Sequence, residues 1–271
     1  MITPKVFSLT RRKLLLGAIA LAALLQVAPG PTSAAWAEDL VIAMKGAVDG
    51  ADPHQSYAPN RNVQLHVYEG LVKQDSFYKP HPGLAESWQL VDPLTWEFTL
   101  REGVRFHDGT PLKPSDVAFS IARAKAAEGP RTFVNSVRNV ASVEPTGDRT
   151  LVIRTTEPTP LLPLYLAVVM IVSEEAVGEN PTADDWNGGK AGVGTGPYKW
   201  IRWTPAENVV LEKKPDYWGT QAEWDKVTYR FIPNDSARVA ALLAGDADIV
   251  DGVPPELFDR VKSTPSVQLV S

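Results

Sequence analysis

Apolar and polar residues alternate strictly over Thr95–Leu100, where Trp96, Phe98 and Leu100 take one side and Thr95, Glu97 and Thr99 the other. That is the period of a half-buried strand. Similar runs predict strands at Leu40–Met44, Trp88–Val91, Val137–Glu144, Thr150–Thr155, Val168–Val172, Tyr198–Arg202, Val209–Lys213, Lys226–Phe231, Ala247–Val250 and Val267–Val270. Gly103 and Asp108-Gly109 bound a shorter run, Val104–His107, which reads as one more strand. Pro145-Thr146-Gly147-Asp148 predicts a hairpin between its flanking strands.

Helical spacing is found elsewhere. Val117, Phe119, Ile121 and Ala124 mark a helix from Pro114 or Ser115 to about Ala127, stopped by Gly129-Pro130. Asn60 is placed to cap a helix to about Leu71 through Val63, Val67 and Tyr68. A short helix is expected over Pro158–Ala167, and another from Pro254-Pro255-Glu256. Asp235 opens a helix that Gly245 closes. Trp186–Gly196 reads as a Gly-rich linker. The last third alternates strand with helix, so a buried sheet of βαβ type is expected there and a β-rich segment before it.

The first 37 residues change the picture. Lys5, Arg11, Arg12 and Lys13 precede the apolar stretch Leu14–Leu25, and Ala35-Trp36-Ala37 has the form of a cleavage site. This predicts a signal peptide, with Sec and Tat export both open because the arginines are paired. The segment has no acidic residue, so its removal would leave 23 basic and 32 acidic side chains and move the formal charge from −5 to −9. An acidic product has no electrostatic attraction for nucleic acid or anionic lipid. With no cysteine there is no disulfide, no thiolate zinc site and no lipid-bearing cysteine. The expected location is the periplasm.

No motif announces reaction chemistry. His-Glu-x-x-His, Gly-x-Ser-x-Gly and a cysteine nucleophile are all absent. A glycosidase with paired carboxylates is the enzyme that motif reading leaves open. His54, His66, His81 and His107 lack metal-ligand spacing, and Asp246, Asp248 and Asp251 do not fit a calcium loop. No metal or cofactor is expected. The tryptophans are read as core residues ahead of a sugar-binding surface.

Residues 94–120 as a string, with Gly194-Thr195-Gly196-Pro197-Tyr198-Lys199-Trp200, Leu211–Gly219 and Ala240–Val250 in that order, resemble the family 5 extracellular solute-binding proteins, the peptide and nickel receptors of ABC importers. The resemblance implies an α/β fold of the type II periplasmic-binding-protein kind, with a mixed α+β insert. After the signal peptide (1–37), the first lobe would comprise 38–71 and 189–271, and a small inserted domain 72–188. Family members run to roughly twice this length, so the second lobe and half of the cleft are expected to be missing. The implied function is a periplasmic substrate-binding component that closes on short peptides without catalysis and hands them to a permease and ATPase complex. Related ligands such as nickel chelates, opines or oligosaccharides are possible on the same scaffold. The alternative reading is a truncated fragment that binds nothing.

Two loops are the expected ligand sites. In the resembled fold, Lys45, Gly46, Ala47, Val48 and Asp49 leave the first strand where a ligand backbone can pair with its edge, or else they form an ordinary strand-to-loop exit. Thr195, Gly196 and Tyr198 lie in a loop whose glycines allow close approach and offer free N–H groups, or else make a tight turn of positive φ.

Overall fold

The computed structural model describes residues 5–8 and 39–270. The expected cleavage site and most of the expected signal peptide lie outside those residues. No helix among the described residues is long and apolar enough to cross a membrane.

The main sheet has seven strands in the order Tyr198–Thr204, Asn208–Lys213, Lys226–Phe231, Asp39–Met44, Ile249–Val250, Lys5–Ser8 and Val267–Val270. Asp39–Met44 is central and runs parallel to both of its neighbours. Its two faces serve different cores. Ile42 and Met44 join Val63, Val67, Tyr68, Tyr198, Leu211 and Tyr229 on one side. Val41 and Ala43 face Val239, Leu242, Val250 and Val261 on the other. A strand covered on both faces reads as a continuous apolar run, which is how Leu40–Met44 reads.

A third core belongs to a four-stranded antiparallel sheet in the order Ala85–Asp92, Thr95–Leu100, Thr150–Thr155 and Val140–Pro145. Phe98, Leu100, Leu151 and Ile153 point inward and are covered by Val117, Ile121 and Ala124 of the helix Pro114–Ala126. Leu71 and Val72 already belong to this core. Val172, Val177 and Trp186 pack back against the main sheet.

Several boundaries differ from expectation. Val104–His107 is not a strand: Arg105 makes an isolated bridge to Pro111, and Phe106 N–H donates to Thr110 within the turn. The first helix spans Ala58–Val67, with Pro59 in its opening turn. Asn60 does not cap it; its side chain donates to the Asp49 carboxylate and accepts from the Asp49 N–H instead. Tyr68 leaves the helix in extended geometry so that Glu69–Gly70 can pair with Met170–Ile171. Asn234, one residue before Asp235, caps the helix Asp235–Ala244, and Gly245 ends it at φ 79°. Val134–Val137 is helical, so the expected strand starts at Val140. Part of the expected linker is helical too, as Ala183–Asn187 with a capping box from Thr182 and Asp185.

Candidate functional site

The loop after the central strand starts at Lys45. Its N–H donates to Asp251 Oδ1 at 2.8 Å, and its ammonium group pairs with Asp235 at 3.2 Å. Asp235 and Asp251 are in turn held by Arg238, whose side chain is wholly buried. The loop is thus tied down at its first residue. Gly46 and Ala47 are partly exposed, and their N–H groups have no partner among the described residues. Pro59 fills the space where a Gly46 side chain would project, 2.6 Å from an ideal Cβ. Val48 anchors the loop in the core beneath, and Asp49 is held by Asn60 and by Arg131 at 2.8 Å.

Beyond Asp49 lies a cavity of about 590 Å³, open to solvent, between the loop at Asp52–Gln55, the end of the helix Pro114–Ala126, and Pro130–Thr132. Three of its side chains form one network. Arg123 donates to both Asp52 carboxylate oxygens, at 2.6 and 2.8 Å, and to His54 Nδ1 at 2.8 Å. His54 Nδ1 is then an acceptor, so the ring proton sits on Nε2, which faces the Met170 carbonyl at 2.8 Å. Burial, with the neighbouring Arg123 charge, pushes His54 down to about 4, and the imidazole is neutral at pH 7. Burial alone would raise Asp52, but the Arg123 hydrogen bonds and charge outweigh it and hold the carboxyl below its ordinary value. Arg123 also lies 4.5 Å from the Trp186 ring centre. Asp52, Arg123 and Arg131 are not among the residues singled out in the sequence, and His54 is weighed there only as a metal ligand. No local signal in the sequence points to the network, because Arg123 stands 71 residues from Asp52.

The Gly194–Tyr198 loop is built differently. Gly194 N–H donates to His107 Nδ1 at 3.3 Å, and Gly196 N–H donates to the Val67 carbonyl at 2.9 Å. His107 Nε2 faces the Gly196 carbonyl at 3.0 Å. The expected free donors at both glycines are therefore engaged, and the Thr195 N–H is closed off by burial. Neither glycine has positive φ. Both are required by close approach to the end of the chain's own first helix: an ideal Cβ on Gly194 would lie 2.0 Å from the Val67 oxygen, and one on Gly196 2.5 Å from the His66 oxygen. Tyr198 is buried, with its hydroxyl donating to the Trp224 carbonyl.

Thr195 leads to a second network. Its hydroxyl donates to the buried Glu69 carboxylate, which also accepts from Tyr217 Oη at 2.7 Å and Trp218 Nε1 at 2.8 Å and pairs with Lys73 at 2.9 Å. Lys214 is 2% exposed and donates to the Arg105 carbonyl at 2.6 Å. Burial lowers its pKa from the ordinary lysine value. The segments around 69, 105, 195 and 214–218 thus meet at Glu69 and Lys214. Among the described residues no group of three or more histidine, aspartate or glutamate side chains is placed to hold a metal ion. The histidines are spread out: His54 and His107 as above, His81 on Asp75, and His66 against Tyr198 and Tyr229.

The family model described as bacterial extracellular solute-binding proteins, family 5 Middle, matches residues 79–271. The periplasmic oligopeptide-binding protein OppA of Haemophilus influenzae is 32% identical over 93% of this chain and 51% of its own length. Among solved structures, the oligopeptide-binding protein AppA of Bacillus subtilis in complex with a nonapeptide superposes with a TM-score of 0.77 at 26% identity, covering 84% of this chain and 46% of that one. AgaA of A. tumefaciens R10 in complex with agropinic acid gives 0.75 at 30% identity, covering 84% and 46%. The chain spans about half the length of the relatives it matches. It belongs to the bacterial extracellular solute-binding proteins of family 5.

Proposed function

We propose that this chain forms the first lobe, from 38–71 and 189–271, and the inserted domain, 72–188, of a periplasmic receptor that delivers short peptides to an ABC permease and its ATPase. Binding is by closure of two lobes, with no bond made or broken. The observation that carries this reading is the pair of unpartnered N–H groups at Gly46 and Ala47, on a loop fixed at Lys45, Val48 and Asp49 and leading to the cavity at Asp52–His54. A fixed backbone edge with open donors suits main-chain pairing with an extended ligand. The separate core of the four-stranded sheet supports a lobe and an insert, although Leu71 joins that core and Met170, Val172, Val177 and Trp186 join the main sheet's. Relatives named for oligopeptides support the ligand class, and the agropinic acid complex marks its breadth.

Calorimetry with a pool of tri- to pentapeptides tests the proposal. The receptor carrying both lobes is expected to bind at micromolar concentration without hydrolysing the peptides, and Ala47→Pro, which removes one donor, is expected to weaken binding at least tenfold. Peptide hydrolysis, or unchanged affinity in Ala47→Pro, contradicts it. The 271-residue chain alone, without the second lobe, is expected to show no micromolar binding.

A further inference from the structure

Arg61, Arg123 and Arg131 act on the segment Asp49–His54, and its two carboxylates answer only two of them. Asp52 accepts two hydrogen bonds from Arg123, and Asp49 pairs with Arg131. Arg61 is left over. Its side chain has no hydrogen-bond acceptor and no ion-pair partner among the described residues, although Nη1 is buried. Its guanidinium lies 5.3 Å from the Phe133 ring centre. We propose that Arg61 is a specificity-determining residue whose guanidinium receives a carboxylate of the bound ligand.

Without such a partner the placement is unfavourable on several counts. A guanidinium stripped of water needs acceptors for its donors, and this one has none. Burial lowers Arg61 to about 10, which leaves it charged at pH 7. It lies in the first turn of the helix Ala58–Val67, where no residue is acidic and the helix dipole opposes a cation. Its helical neighbours three and four positions away are Tyr57, Ala58, Gln64 and Leu65, again with no carboxylate. Arg123 adds like charge, and both cations hold His54 down. Glu128 and Glu179 line the neighbouring cavity, but neither pairs with Arg61. Arg61 as a residue keeps partial exposure, which leaves an approach to its fork. That planar fork matches a carboxylate, and Phe133 beside it favours a flat anion over a tetrahedral one. Pro59, two residues earlier, packs at Gly46, so the site adjoins the loop with open donors. The inference rests on the peptide-receptor reading and adds a charge requirement to it.

Two titrations decide it. In the 271-residue chain, the monocarboxylate N-acetylglycine should shift the NMR signals of the Arg61 guanidinium and the Phe133 ring saturably at millimolar concentration. Its neutral counterpart N-acetylglycinamide should not, and Arg61→Gln should abolish the Phe133 response. No saturable shift, an equal response to the neutral compound, or tighter binding of inorganic phosphate overturns the proposal. In the receptor carrying both lobes, either exchanging a peptide's glutamate for glutamine or amidating its C-terminus should weaken binding at least tenfold. The costly change names the carboxylate, and a cost from neither overturns the proposal. Arg61→Gln should erase the cost, and its persistence overturns the assignment to Arg61. If that receptor binds no peptide at all, the receptor reading fails, and the titration of the chain still decides whether Arg61 takes a carboxylate.

Discussion

The loop beginning at Lys45, through its residues Lys45–Asp49, and the loop Gly194–Tyr198 both look like ligand sites in the sequence, and each is glycine-bearing and joined to a main-sheet strand. They differ in where their donors go. In the second, the Gly194 and Gly196 N–H groups, the Thr195 hydroxyl and the Tyr198 hydroxyl are all spent inside the protein, on His107, Val67, Glu69 and Trp224. In the first, the Gly46 and Ala47 N–H groups have no partner among the described residues. A glycine-rich motif therefore marks close approach of backbone, and the accounting of hydrogen-bond partners tells whether the approaching backbone is a ligand's or the protein's own.

The largest effect that would sharpen this contrast is at Glu69. Its carboxylate holds Thr195, Tyr217, Trp218 and Lys73 together, so Glu69→Ala leaves buried donors unsatisfied. Breaking a buried charged network by removing one member costs about 3–5 kcal/mol. Urea denaturation of the variant should show a loss of that size, and a loss under about 1 kcal/mol would mean that the network does not hold the Gly194–Tyr198 loop.

Next is Gly194→Ala. The added methyl would meet the Val67 carbonyl, whose helix end cannot withdraw without disturbing a core residue. Overpacking of this kind costs about 3 kcal/mol. Gly50→Ala supplies the control in the other loop: its nearest neighbour is the Asn60 side chain at 3.8 Å, so stability should change far less. Thermal unfolding of the pair reads the difference.

Acid probes both loops together, because a buried neutral histidine serves each: His54 follows Asp49 in the chain and accepts from Arg123, and His107 accepts from the Gly194 N–H. Burial pushes His54 and His107 down to about 4 from the ordinary 6.5. Unfolding releases each to take up a proton below pH 6.5, so the unfolded state binds more protons between pH 6.5 and 4. Stability should be flat above that window and fall as pH drops through it, with each histidine contributing about 3 kcal/mol. Protonation also removes the Nδ1 acceptor that holds Gly194 N–H or Arg123. His107→Gln and His54→Gln should each reduce the slope of unfolding free energy against pH over this window. An unchanged slope in both variants would contradict the neutral assignments.

Much of the fold was legible because strands buried on one or both faces write their burial into alternation or into an unbroken apolar run. Asp39–Met44, Thr95–Leu100, Thr150–Thr155 and Lys226–Phe231 were read on that ground. Val104–His107 misled because Val104 and Phe106 are buried with strand-like spacing, yet they fill the core of the four-stranded sheet from a turn. The helix start at Asn60 misled because a good capping residue was needed elsewhere, to hold Asp49.

The candidate site was less legible. The Lys45–Asp49 loop follows from strand exit plus turn residues. Arg123 lies 71 residues from Asp52, and Glu69 meets partners up to 149 residues away, so no local pattern records either network. Four motifs carried the family resemblance, and the structure gives two of them, around Gly194 and around Pro215, a common physical task at Glu69 and Lys214.

Residue-resolved hydrogen exchange at the four glycine and alanine amides tests the contrast most directly. Gly194 and Gly196 should exchange as slowly as the core strands, and Gly46 and Ala47 at close to the rate of an exposed amide. Rapid exchange at Gly194 and Gly196 together with protection at Gly46 and Ala47 would reverse the two loops and contradict the account.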